Sequence, residues 1–253
     1  MADDRDATTS KVIGLKENSN GKTGVVYVRS VGTNQSGEMV LDYVRWVMVR
    51  KGNADAPAPD PVAPELPGAV AAADLVVPAG LDLAAYDTAA AGSPYLWNDY
   101  EAGERIDHLD GMTIEEAEHM LATRLYQNTA KVHFDQFAAD GRRFKRRLIY
   151  GGHIISLARA LSFNGLANAF KVAAINGGAH INPTFAGDTI YAWSEVQECM
   201  NIPGRDDAGA LRLRTVAVKD RPSADHPDKT DLGEYDESVV LDFDYTVLMP
   251  CRA

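Results

Sequence analysis

The segment YQNTAKVHFD (126–135) sets His133 among small, polar and basic residues. An imidazole there can take up or release a proton near neutral pH. Asn128 lies five positions earlier and brings one acceptor and two donors but no base. Gly152 heads the apolar stretch GGHIISLARALSFNGLANAFK (151–171). A helix beginning there presents unpaired N–H groups and a positive dipole end, with no side chain in the way, to an oxygen gaining negative charge. GRRFKRR (141–147) gathers basic side chains just before that helix, the usual partners of phosphate. The plain readings stand beside these: a structural histidine, an asparagine ending a helix in the left-handed conformation, a permissive cap glycine and a solvated basic face. GGAH (177–180) leads into a strand rather than a helix, so it is no nucleotide loop, and His153 and His180 are read as packing or hydrogen-bonding residues. Neither metal-ligand spacing nor a Ser-His-Asp pattern stands out.

These residues need elements to hold them. TIEE (113–116) has the form of a capping box, Thr113 with Glu116, opening a helix whose apolar face is Ile114, Ala117, Leu121 and Leu125. From about Gly152 to Lys171 apolar residues spread round nearly the whole circumference, which predicts one long helix buried on most sides. Strands are expected at AAINGGAHI, TIYAWSEVQE, ALRLRTVAV and SVVLDFDYTVLM. Near the N-terminus, SKVIGL, VVYVRSV and EMVLDYVRWVMV alternate with the turn strings ENSNGKTG and GTNQSG. Between these blocks lies an Ala/Pro-rich stretch with no sustained period, read as a linker over 52–94. The domains are then 8–51, 52–94 and 95–253.

At 253 residues, the chain is long enough for a sizeable core. A net charge of −11 argues against a general nucleic-acid binder, which needs a basic face. Cys199 and Cys251 are too few for a disulfide framework or zinc cluster, the start MADDRDATTS lacks a signal-peptide layout, and no run is apolar enough to span a bilayer. A cytoplasmic protein without membrane partners is expected.

The strands repeat. VLDYVRWVMV (40–49) aligns with VLDFDYTVLM (240–249), VYVRSV (26–31) with LRLRTV (211–216), and SKV (10–12) with SEV (194–196), with Gly24 opposite Gly209. The second copy carries the longer insertion KDRPSADHPDKTDLGEYDE. Its strands follow a helix, whereas the first copy reads as the strand half of an incomplete repeat, so its apolar face needs a partner.

INPTFAGDTIYAWSEV (181–196) resembles the F-x-x-P-x-x-x-G-D-T-L segment of the MaoC-like (R)-specific enoyl-CoA hydratases, with Pro183, Gly187, Asp188 and Thr189 in place. LIYGGHIISLA resembles the family's I-x-H-G-M-L helix start, with Gly152 at the glycine, and NTAKVHFD its D-x-N-P-x-H motif, with His133 at the histidine. Within that family YLWNDYEAGERIDH, LYQNTAKVHFD and VIGLKENSNGKTGVVYVRSV resemble the mesaconyl-CoA hydratases, also called β-methylmalyl-CoA dehydratases. The resemblance implies an α+β double hot dog, an antiparallel sheet wrapped round a long buried helix, with its first repeat truncated. It implies reversible hydration of a branched 2-enoyl-CoA, with coenzyme A entering only as part of the substrate and no metal or other cofactor. His133 would serve as base and acid, and Gly152 would hold the thioester oxygen. Asn128 stands where the family has its aspartate, so His133 acts alone, or Asp135 or Asp140 substitutes, or hydratase activity is lost. Arg142, Arg143 and Lys145 are candidates for the coenzyme A phosphates, and Lys131, with Arg124 as runner-up, for a substrate carboxylate. A hot dog thioesterase and a non-catalytic acyl-CoA-binding subunit are the alternatives. Unpaired strands imply a homo-oligomer.

Overall fold

The β-branched runs near the N-terminus form β1 (Ala7–Glu17), β2 (Thr23–Thr33) and β3 (Met39–Arg50), an antiparallel meander in that order. Asparagines make both reversals. Asn20 Oδ1 accepts the N–H groups of Lys22 and Thr23, and Asn34 Oδ1 those of Ser36 and Glu38, at 2.9–3.0 Å. Such side chains replace a backbone acceptor at a tight turn. The structure, a computed structural model, describes residues 7–224 and 228–252. It divides into two units, Met1–Pro67 and Gly68–Ala253.

The second unit is built on a sheet in the order β4-β7-β8-β9-β6, with β5 also paired to β7. Its strands are β4 (Arg105–Asp107), β5 (Met112–Thr113), β6 (Lys171–His180), β7 (Thr189–Asn201), β8 (Ala208–Lys219) and β9 (Val239–Pro250). Three helices serve the site: α1 (Glu116–Leu125), α2 (Gln136–Asp140) and α3 (Gly151–Leu161). α3 buries Ile154, Leu157, Ala158 and Leu161, at the i, i+3, i+4, i+7 spacing, in one cluster with Leu211, Leu213, Leu241, Phe243 and Val247 of the sheet.

The duplication holds at the level of register. Ser10 pairs with Ser30 and Val12 with Val28 in the first unit, as Ser194 pairs with Thr215 and Val196 with Leu213 in the second. Val26–Val47 and Gly24–Val49 likewise correspond to Leu211–Val247 and Gly209–Met249. The register shifts after Val12 and after Val196, and again between Gly32 and Thr33 and between Ala217 and Val218. Side-chain pairs recur too. Ser10 and Ser30 share a hydrogen bond of 2.8 Å, and Ser194 and Thr215 one of 2.6 Å, while Arg29 pairs with Asp42 as Arg214 pairs with Asp242. A shifted alignment would turn every such pair to the opposite face.

Several expectations are corrected. Thr113 lies on β5 with its hydroxyl 2.8 Å from that of Thr189, and Glu115, without a side-chain cap bond, precedes α1, so the capping box does not form. The buried face of α1 is His119, Ala122 and Thr123, whereas Leu121 and Leu125 are exposed. The long helix over 152–171 ends at Leu161, since Asn164 and Gly165 leave helical geometry, Gly165 with φ +103°. Asn164 Nδ2 instead donates to Asp110 Oδ2 at 2.6 Å, and a side-chain carbon at Gly165 would meet Ile106 at 2.5 Å. Phe163 and Phe170 are consequently exposed rather than buried.

The linker expectation over 52–94 also gives way, since the division falls after Pro67. Leu75 packs with Met200, Ile202, Ala208, Ala210 and Leu248, and Val70, Val77 and Leu83 join them. Burying a leucine this well contributes about 2 kcal/mol. Polar ties hold the same segment: Val70 N–H donates to Asn176 Oδ1 at 3.0 Å and Arg205 to Leu81 O at 3.0 Å.

Candidate active site

The head of α3 is fixed from three directions. Tyr150 N–H, at its cap, donates to His119 Nε2 at 2.9 Å from the buried face of α1. Ile149 N–H donates to Thr184 O at 2.9 Å, in the loop between β6 and β7, and Leu148 N–H to Val132 O at 3.1 Å. The same loop closes on the entry to α1, with Gly187 N–H on Ile114 O and Ile114 N–H on Asp188 O. The Pro183–Thr189 segment singled out by motif therefore works as a clamp that joins the starts of both helices.

His133 ends the short turn Lys131–His133. Its Nδ1 lies 3.0 Å from Leu148 O, an atom that only accepts, so Nδ1 carries a proton and Nε2 is the nitrogen of the neutral ring that would hold the lone pair. The ring meets Tyr150 edge-on, with centroids 6.0 Å apart. His133 is thus half-buried beside the cap of α3, with Nε2 as the ring nitrogen left for other partners.

Gly151 and Gly152 form the first turn of α3, where no earlier carbonyl of the helix reaches their N–H groups. Both absent side chains are used. A carbon added at Gly151 would stand 2.3 Å from His180 Nε2, and one at Gly152 2.4 Å from the Tyr150 hydroxyl. By its sequence context His180 is a packing residue, and Tyr150 carries no motif of its own. The local signal was present, in paired glycines after a tyrosine, but the approach of His180 depends on a strand that follows α3.

His119 is wholly buried, and its pKa is pushed down to about 4, first by burial and then by His153, His133 and Arg147. It therefore stays neutral, with Nε2 accepting from Tyr150. His153 packs 6.0 Å from it, ring to ring, and has Glu118 Oε1 3.0 Å from its Nε2. His180 is surface-exposed, yet the chain crowding its ring and the nearby His133 lower its pKa.

The remaining candidates divide sharply. Asn128 N–H donates to Thr123 O at 2.8 Å and Gln127 N–H to Arg124 O at 3.2 Å, with Gln127 at φ +49°. This is a Schellman end in which Gln127, and not Asn128, takes the left-handed position. Asn128 Oδ1 accepts Ala130 N–H at 2.9 Å, which ties it to its own turn and leaves one lone pair over. Asp135 caps α2 through Ala138 N–H at 2.9 Å, and Asp140 accepts from Gln136 at 2.7 Å. In the basic run, Arg147 is taken by Glu116 and Met120, and Arg146 by Ala186 O at 2.7 Å and the Phe185 ring. Arg142, Arg143 and Lys145 are exposed, as are Lys131 and Arg124.

No protein-family model matches the chain. It is 66% identical over 246 residues to a β-methylmalyl-CoA dehydratase of Chloroflexus aurantiacus, covering 97% of this chain and 70% of that one. It is 60% identical over 243 residues to a mesaconyl-CoA hydratase of Cereibacter sphaeroides, covering 95% of this chain and 69% of that one. Among solved structures, a MaoC domain dehydratase from Chloroflexus aurantiacus superposes with a TM-score of 0.95 at 66% identity, over 99% of this chain and 71% of that one. A Mycobacterium tuberculosis protein described as a double hot dog superposes with a TM-score of 0.66 at 26% identity, over 98% of this chain and 70% of that one. The likeness to the two curated enzymes covers both copies of the strand repeat and the whole stretch from His119 to Asp188, and on that ground the chain belongs to the family of mesaconyl-CoA hydratases and β-methylmalyl-CoA dehydratases, hot dog proteins of the MaoC type.

Proposed function

We propose that the protein is a hydro-lyase that interconverts mesaconyl-CoA and β-methylmalyl-CoA. The observation that carries this reading is identity of 60–66% over nearly the whole chain with enzymes named for the two directions of that reaction. Coenzyme A enters as part of the substrate.

His133 Nε2 takes a proton from water, whose oxygen bonds to the β-carbon of the enoyl thioester. The C=C electrons move toward the thioester, and its oxygen gains negative charge. The Gly151 and Gly152 N–H groups meet that oxygen at the positive end of α3, with the Tyr150 hydroxyl as a further donor. The imidazolium of His133 then returns its proton to the α-carbon, and the histidine ends neutral. Asp135 and Asp140 are engaged in and around α2, which favours His133 as the sole base. Asn128 shapes the turn that delivers His133. Arg142, Arg143 and Lys145, exposed just before α3, meet the coenzyme A phosphates.

The finer architectural reading belongs here too. β1–β3 are the strand half of a hot dog repeat, supported by their shared register with β7–β9. A homo-oligomer, formed through the exposed face of β3, and a place in the cytoplasm complete the reading.

The test is incubation with mesaconyl-CoA while enoyl absorbance and free thiol are followed together. Loss of the enoyl band without thiol is the expected result. Thiol release without loss of the band would replace hydration with thioester hydrolysis, and no change in either would leave a binding protein.

A further inference from the structure

Mesaconyl-CoA carries a free carboxylate one bond from the carbon that water attacks. An anion so close to His133 must be met inside the site by a donor, because an unpaired buried charge is costly. The cations on hand are poorly placed for this. Arg147 and Arg146 are committed to Glu116, Met120, Ala186 and Phe185, while Lys131 and Arg124 lie on the exposed sides of their turn and helix. His119 Nε2 is spent on Tyr150 N–H, and His153 faces Glu118.

His180 differs from all of these. It ends β6 opposite Leu241 of β9, and the backbone beyond it is anchored by Ile181 N–H on Val240 O at 3.0 Å and Asn182 Nδ2 on Val239 O at 2.8 Å. Its Nε2 lies against Gly151 with the face of the ring turned to it, 2.3 Å from where a side-chain carbon would stand, so any side chain at 151 would displace it. The ring therefore stands at the first turn of α3, beside the place proposed for the thioester oxygen and within electrostatic reach of His133. A ring nitrogen held there can donate to a carboxylate while His133 handles the water.

Resting on the hydratase reading above, we propose that His180 is a specificity-determining residue: its Nε2–H, seated against Gly151, binds the free carboxylate of the substrate and selects dicarboxylic over monocarboxylic enoyl thioesters. Gly151 and Gly152 then have separate tasks, the first making room for His180 and the second for Tyr150.

The experiment compares kcat/KM for mesaconyl-CoA with that for (E)-2-methylbut-2-enoyl-CoA, in which a methyl group replaces the carboxylate. It uses the wild-type protein, His180→Leu and Gly151→Ala, each checked for folding by circular dichroism. Loss of one charge-assisted hydrogen bond predicts a fall of about 10- to 100-fold in the ratio of the two constants for His180→Leu. Gly151→Ala, which pushes the ring aside, lowers the same ratio. If His180→Leu leaves the ratio at the wild-type value, whether both constants fall together or neither does, the assignment is overturned. The same collapse of preference in Lys131→Ala but not in His180→Leu would hand the carboxylate to Lys131. A wild-type protein inert toward mesaconyl-CoA removes the hydratase reading and this assignment with it, an outcome distinct from an active enzyme whose preference ignores His180. If His180→Leu fails to fold, the ratio in Gly151→Ala decides in its place.

Discussion

At the scale of single residues the site depends on which nitrogen of each histidine is occupied. Leu148 O fixes the His133 tautomer, so His133→Gln, which cannot act as a base, is expected to lower kcat by about 10²- to 10⁴-fold. The melting temperature should barely move, because only one hydrogen bond, worth about 1 kcal/mol, is lost. Activity near the wild-type level in a folded His133→Gln protein would remove the histidine from the mechanism. The local part of this was legible in the sequence, since the motif spacing pointed to His133 and Gly152. His119 and Tyr150 carry no motif of their own, and His180 reads as a packing residue. His119 and His180 lie 31 and 29 positions from Tyr150 and Gly151, and only the folded chain brings them together.

At the scale of elements, caps and buried imidazoles decide how well α3 is held. Thr113→Val should be nearly neutral, since the expected capping box is absent, whereas Asp135→Ala should cost about 1 kcal/mol as a true N-cap of α2. Chemical denaturation of both variants checks this contrast. His119 gives a pH dependence of definite sign. Its folded pKa of about 4 lies below the ordinary 6.5, so the folded state binds fewer protons than the unfolded chain in between. The stability His119 supports is complete above about pH 6.5 and falls as the pH drops toward 4, where the folded form also takes up its proton. His108, shifted in the same direction by burial, adds to the fall. Melting temperatures measured against pH should show it, and His119→Gln, which keeps an acceptor for Tyr150 N–H, should make the profile shallower. An unchanged profile would mean that His119 does not govern the acid limb.

On the scale of the whole molecule, the duplicated sheet is covered in one unit and bare in the other. Leu241, Phe243 and Val247 are 1%, 4% and 0% exposed beneath α3, while their counterparts Leu41, Tyr43 and Val47 are 52%, 37% and 40% exposed. An apolar strand face of this kind recruits partners. The double variant Leu41→Gln with Val47→Gln is therefore expected to lower the mass found by light scattering while keeping hydratase activity, because the proposed site residues all lie in the other unit. A mass unchanged from wild type would mean that no association runs through this face.

The sequence by itself determined the strands, their turns and their duplication, because alternation and turn chemistry are local and the paired residues Arg29 with Asp42 and Arg214 with Asp242 recur at matching places. It also pointed to His133 and Gly152 through short motifs. It misjudged the end of α3, the face of α1 and the stretch from Val70 to Leu83. Each of these was settled by contacts with distant chain: Gly165 against Ile106, His119 on Tyr150, and Leu75 against Leu248. Only the tertiary structure placed His180 against Gly151, because that contact joins the end of a strand to the start of a helix, and no local pattern specifies where the two meet.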